Sequence, residues 1–290
     1  ALVALKRKDY RWALALLEEC APQLASAPEV QYRLGLARQR LGLEAGARDA
    51  LLRALGSDRD FAGRDDARAL LSVLDVSLQD AGESDRERLE QALKILPGNP
   101  SALARLARIE ERRQETAKAI RLNEEALKEA ADYAPALIAL TRLTVDQPER
   151  ALAYGRKARE AAPQNAEAAH ALGCAALKAG DYAWARSILS EASVLAGNDP
   201  RVRRDLAEAS LLCGRVEESR LEAVQAGDTS FVSLLDAYLG RVDIDQARSI
   251  LAAAAASASA SPAFRLAAAK AAPAEESKAA YRALAEAYPR

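Results

Sequence analysis

One short pattern returns along this chain at nearly constant spacing, and a fixed period of that length restricts the fold more than composition does. It consists of a small residue, a large one four positions later and a small one three positions after that, so all three lie on one helix face. It begins at Ala13, Ala47, Asp85, Ala119, Ala151, Ala185, Ser219, Ala247 and Ala280. The successive intervals are 34, 38, 34, 32, 34, 34, 28 and 33 residues. The clearest copy, AEAAHALGCAALKAGDYAWARSILSEASVLAGNDP, runs from Ala166 to Pro200. Leu172 and Gly173 fall in a first helix, Gly180-Asp181-Tyr182 at a turn, and Ala185, Leu189 and Ala192 in a second helix. Each period therefore holds two helices, and about nine periods follow one another.

Punctuation between periods is what helix ends require. Pro97-Gly98-Asn99-Pro100, Pro163-Gln164-Asn165 and Gly197-Asn198-Asp199-Pro200 combine a glycine or asparagine stop, a capping residue and, in two cases, a proline that opens the next helix. Half the residues are hydrophobic but only 4% are aromatic, with long stretches of Ala, Leu, Arg and Glu. Such a composition forms helices, and β-branched alternating runs between Asn-Gly or Asp-Gly turns are scarce. The expected fold class is all-α.

These residues closely resemble the tetratricopeptide-repeat consensus, and the likeness extends over the whole chain. Leu34-Gly35 with Gly42, Ala47, Leu51 and Ala54 is a second good copy; Leu103, Leu106 and Ala107 with Ala119 and Ala126, and Leu206-Ala207 with Gly214, are partial ones. The resemblance implies a right-handed α-α superhelix over 1–290, beginning inside the first helix of the first repeat. Each repeat would bury its apolar face only against its neighbours, giving a quasi-one-dimensional array. Asp85 and Ser219 depart from the small alanine, Asn123 and Gly155 from the large residue. The 38- and 28-residue intervals mark expected seams near 60–84 and 227–233, the second of them the weak point of the stack.

Chemistry finds little support. His170 is the only histidine, which is read as arguing against Ser-His-Asp triads, Cys-His pairs and multi-histidine metal sites. Cys20, Cys174 and Cys213 are widely separated and odd in number, with neither a disulfide framework nor metal-ligand spacing, so they are expected as buried packing residues. Asp199, Asp205 and Glu208 lie close enough in sequence for an acid/base pair, but two Trp and three Phe supply few stacking platforms for a sugar. Trp12 and Trp184 are expected to pack between repeats. Gly214 and Gly240 are lone turn glycines rather than a phosphate loop. No cofactor, metal or enzymatic activity is expected.

The family resemblance places the first helices on a concave, peptide-binding face. Its register assigns Tyr32, Gln39 and Arg40, then Arg105, Arg108 and Arg112, then Arg142, His170, Lys178, Arg201 and Arg204 to that groove. The set is mostly basic, suited to gripping acidic side chains or a C-terminal carboxylate. The asparagines of the family's carboxylate clamp for chaperone tails are missing. The leading expectation is a non-catalytic scaffold for another protein or acidic peptide, of the kind used in bacterial secretion, pilus or envelope assemblies. The alternative is a single-stranded RNA binder using the same arginines on phosphates. A formal charge of -1, from 41 basic and 42 acidic residues, disfavours it. No apolar run is long enough to span a bilayer. Cytoplasm and periplasm both remain open, the unpaired cysteines favouring the first.

Overall fold

A computed structural model of the chain describes residues 1–21, 23–24 and 27–242, with isolated positions beyond them. Among the described residues there is no strand, and the helices follow one another in pairs. The pairs are α1 (Leu2–Lys6) with α2 (Tyr10–Cys20), α3 (Pro28–Arg40) with α4 (Glu44–Leu55), α5 (Arg64–Leu74) with α6 (Arg86–Ile95), and α7 (Pro100–Arg112) with α8 (Thr116–Glu129). Next come α9 (Ala134–Leu143) and α10 (Pro148–Ala161), α11 (Ala166–Lys178) with α12 (Tyr182–Leu195), α13 (Pro200–Leu212) with α14 (Val216–Ala226), and α15 (Thr229–Tyr238). This is the all-α, helix-pair solenoid fold class expected from the repeat. The last two copies of the pattern, from Ala247 and Ala280, lie outside the described residues.

The repeat period has a simple structural cause. Ala13, Ala47, Ala119, Ala151, Ala185 and Ser219 are each the fourth residue of α2, α4, α8, α10, α12 and α14, and all six are 0% exposed. At these places the side chain is a fully enclosed methyl or hydroxymethyl group. The first helix contributes the matching small residue: a Cβ on Gly35 would lie 2.8 Å from Leu51 Cγ, and one on Gly173 would lie 2.6 Å from Leu189 Cγ. Backbone and leucine thus touch without an intervening side chain, which sets how closely the two helices of a repeat approach.

The departures from the pattern are each accommodated. The Ser219 hydroxyl donates to the Ala207 carbonyl, 2.7 Å away on α13, so the polar atom is satisfied in the core. Asn123, 2% exposed, donates its amide to the carbonyl of Ala119 one turn earlier. Asp85 precedes an α-helix rather than lying within one. It ends a 3-10 turn (Glu83–Asp85), and its carboxylate accepts from the Gly82 N–H at 3.1 Å. In this repeat α6 starts late, yet Leu89 and Ala92 are buried where the pattern puts its large and second small residues.

The helix stops work as the sequence implies. Asn99, Asn165 and Asp199 accept backbone N–H groups of Ala102, Ala168 and Arg201 through their side chains. The 28-residue interval at 227–233 has a local structural form. Gly227 ends α14 in a left-handed conformation, Asp228 caps α15, and Phe231, Leu234 and Leu235 are buried against Ala207, Leu211 and Ala223. The chain there is shortened to a two-residue link.

The chain divides into two compact units, Ala1–Thr144 with Ala153–Pro163, and Val145–Leu152 with Gln164–Arg290. The first unit departs from a one-dimensional array. Lys8 pairs with Glu129 at 2.8 Å, Tyr10 donates to the Glu129 carbonyl at 3.2 Å, and Arg11 pairs with Asp132 at 2.9 Å and donates to the Glu160 carbonyl at 3.1 Å. The Tyr10 ring also packs on the cluster of Leu103, Ala126 and Tyr133. The Tyr10 and Arg11 hydrogen bonds join residues 119 and 149 positions apart, so the expectation that each repeat touches only its neighbours is corrected here. Two packing expectations also change: Trp12 is 49% exposed rather than between repeats, and Cys20 is exposed at the end of α2.

Candidate functional site

In the first unit, the first-helix positions assigned to a groove meet other parts of the same unit. Gln39, near the end of α3, donates to Ser101 Oγ at 2.7 Å at the start of α7. Glu44, the first residue of α4, receives two bonds from the Arg105 guanidinium, at 2.9 and 2.8 Å, and one each from Tyr133 (3.0 Å) and Ser101 (3.1 Å). Gly42 makes this approach possible. It has φ +79°, and a Cβ there would lie 2.7 Å from Pro135 Cδ, so the α3–α4 turn rests on the start of α9.

Gln39 and Arg105 are 0% and 1% exposed, so neither can meet an incoming peptide in this arrangement. Burial opposes ionisation of Glu44, but the bonds and charge of Arg105, with the Tyr133 and Ser101 hydroxyls, outweigh it and hold the carboxyl below its usual range. Burial beside Glu44 pushes the Tyr133 phenol well up. Tyr32, half-buried on α3 against Phe61, donates to Asp66 at 3.2 Å; burial and that carboxylate push its phenol up to about 12. Arg40 lies over the Tyr10 ring, 5.9 Å from its centroid.

The arginine stripe of α7 exists, and the chain itself occupies part of it. Arg105 Nε donates to the Val76 carbonyl at 2.6 Å, Arg108 to that of Gln79 at 3.4 Å, and Arg112 to those of Gln79 and Asp80 at 2.9 and 3.0 Å. Three guanidiniums at helical spacing thus hold the long link that follows α5, the segment behind the 38-residue interval. Arg108 also meets Glu111 at 3.0 Å, as does Arg142 of α9. Arg112 and Arg142 are exposed.

In the second unit, Lys178, Arg201 and Arg204 are solvent-facing to different degrees. Arg201 pairs with Asp199 at 2.8 Å and Arg204 with Asp228 at 3.1 Å. His170 Nε2 lies 2.6 Å from Asp205 Oδ2, and the Cys174 thiol donates to the same oxygen at 3.4 Å. Burial, with the Asp205 charge and hydrogen bond, pushes the Cys174 thiol well above its ordinary range, which leaves it protonated rather than nucleophilic. Of the three carboxylates noted in the sequence, Asp199 caps α13 and Asp205 faces His170 and Cys174. The cysteine spacing hid the His170–Cys174–Asp205 grouping. Its signal was the four-residue step from His170 to Cys174 together with Asp205, 35 residues after His170 and so about one repeat on.

No known family profile matches the chain, and no curated protein matches it. Solved structures do. The pilF protein of Pseudomonas aeruginosa matches with a TM-score of 0.51 at 20% identity, covering 77% of this chain and 96% of that one. A thermophilic tetratricopeptide protein of Thermus thermophilus matches at 0.43 and 20% identity, covering 78% and 98%. YrrB, described as a tetratricopeptide protein with an unusual peptide-binding site, matches at 0.48 and 16% identity, covering 68% and 99%. With its helix pairs, its 34-residue intervals and the methyl-sized positions that set them, the chain has the tetratricopeptide-repeat fold.

Proposed function

We propose that the protein is a non-catalytic scaffold that binds an acidic segment of another protein along the exposed edge of the α7–α9 arginine stripe. The observation that carries this reading is the charge balance around Glu111. Arg108 and Arg142 meet this one side-chain carboxylate, and the bonds of Arg112 go to backbone carbonyls, which do not neutralise it. The place stays cationic and solvent-facing, whereas Arg201 and Arg204 in the second unit each have their own carboxylate. A partner carboxylate would take over from Glu111 with charge-assisted bonds of about 1.5–3 kcal/mol each.

The test uses the protein captured by the intact chain in a pull-down, with affinity read by calorimetry. Arg108→Ala with Arg142→Ala is expected to weaken binding tenfold or more, and Glu111→Gln to strengthen it by removing the internal competitor. Lys118→Ala with Arg121→Ala, on α8, serves as the comparison and circular dichroism as the folding control. Equal losses for both pairs, or weaker binding by Glu111→Gln, would overturn the proposed face. Capture of RNA with a steep dependence of affinity on salt would favour nucleic acid instead.

A further inference from the structure

We propose that His170, Cys174 and Asp205 form a three-ligand site for a borderline-soft divalent cation, zinc in the first instance, in the second unit. His170 and Cys174 are four residues apart on α11, so their side chains leave one face of the helix. Asp205, on α13, presents its carboxylate to both. One ligand atom from each residue lies within 4.8 Å of the other two. A tetrahedral zinc with bonds of about 2.0–2.3 Å holds its ligands roughly 3.3–3.8 Å apart. The Cys174–Asp205 distance of 3.4 Å already fits, and the His170–Asp205 distance of 2.6 Å needs to open by about 1 Å or less. His170 and Cys174, within 4.8 Å of each other on one helix, close on the ion by side-chain rotation.

Imidazole, thiolate and carboxylate together are the donor set of zinc and its neighbours, not of magnesium or calcium, which take oxygen. The surroundings favour a cation as well. Glu167 and Glu208 lie near enough to act on Cys174, and Asp199 on His170, although Arg201 neutralises part of that field through Asp199 and Glu167. Cys174 packs against the buried cluster of Leu189, Leu206 and Ala209, which walls one side of the site. The other side is open, with the His170 and Asp205 side chains 19% and 31% exposed. Metal can enter there, and a fourth ligand, water or a partner's side chain, can bind. Binding displaces the thiol proton to solvent and breaks the Nε2–Asp205 hydrogen bond, the imidazole passing by exchange with solvent to its Nδ1–H tautomer so that Nε2 is free to ligate.

The experiment is a cobalt(II) titration of the intact, chelator-treated chain, followed by zinc competition. One equivalent of cobalt is expected to give a thiolate-to-cobalt charge-transfer band with tetrahedral d–d intensity, and zinc to abolish both. Cys174→Ser should remove the charge-transfer band, and His170→Ala and Asp205→Asn should each weaken binding tenfold or more. Cys20→Ser with Cys213→Ser should leave the spectrum intact, which keeps the test decisive if Cys174→Ser fails to fold. Absence of a band in the unaltered chain, its loss in the Cys20/Cys213 variant, or undiminished affinity in the His170 and Asp205 variants would overturn the site.

Discussion

Glu44 and Arg105, 61 residues apart in sequence, face each other with both carboxylate oxygens bonded to the two terminal guanidinium nitrogens, at 2.9 and 2.8 Å. Arg105 is enclosed, so the pair cannot be exchanged for water on one side only. Leaving the guanidinium without its carboxylate strands a buried charge with only the Val76 and Ser101 carbonyls for partners, neither of which neutralises it. Replacing the guanidinium by an apolar chain instead leaves a partly exposed carboxylate that still has two hydroxyl donors. We expect Glu44→Ala to destabilise the first unit by ~3 kcal/mol or more, and Arg105→Met by less. Urea unfolding would check the order; the reverse order would show that the hydroxyl donors do not support Glu44.

The same pair sets an acid sensitivity. Because the folded protein holds the Glu44 carboxyl below its ordinary value of 4.5, the stabilisation is fully present above that value and is lost as pH falls through the lower folded one. Glu110, lowered by its bond to Arg86, contributes in the same direction, so the informative quantity is a difference. The stability gap between the unaltered chain and Glu44→Gln is expected to be wide at neutral pH and to narrow in acid below the ordinary carboxyl value. A gap independent of pH would show that the pair carries no linkage.

Helix spacing within a repeat gives a second measure. With 2.6 Å between a built Cβ on Gly173 and Leu189 Cγ, Gly173→Ala should destabilise by ~1–3 kcal/mol although alanine is the better helix former. Ala185→Leu, one turn before Leu189 on the same helix, should cost at least as much. Gly180→Ala, at φ +83° with open space around it, strains only the backbone and should cost less than Ala185→Leu. Neutral thermal melts for both Gly173→Ala and Ala185→Leu would contradict the packing.

Long-range closure of the first unit is testable by hydrogen exchange. Removing the Tyr10 ring and hydroxyl takes away a contact with Glu129 and the Leu103–Ala126–Tyr133 cluster. Tyr10→Ala is therefore expected to raise exchange at amides of the α8 C-terminus, 119 residues away in sequence, as well as locally. Increased exchange confined to α1, α2 and α3 would return the unit to a nearest-neighbour array. No drop in protection is expected at 227–233.

What could be read from sequence was whatever depends on one helix pair. The alanines at 13, 47, 119, 151 and 185 report local helix approach, which repeats with the period and so prints itself along the chain. Arg105 was legible as one of a basic stripe, but not as the partner of Glu44 or as the strap over Val76, since both contacts depend on how successive repeats turn. A periodic pattern records that turn only weakly. The same limit hid Cys174: its spacing to Cys20 and Cys213 carries no information, and its neighbour Asp205 arrives from the first helix of the following repeat.

The contacts that Lys8, Tyr10 and Arg11 make with Glu129, Asp132 and Glu160 bear on how the chain is made. A stack of neighbour-dependent repeats can fold as it leaves the ribosome, each pair settling on the one before. Here α2 also contacts residues 119 and 149 positions downstream, which at ~5–20 residues per second follow it by roughly 6–30 seconds. Closure then joins segments of high sequence separation, a step that is slow for the same reason that high-contact-order domains are slow.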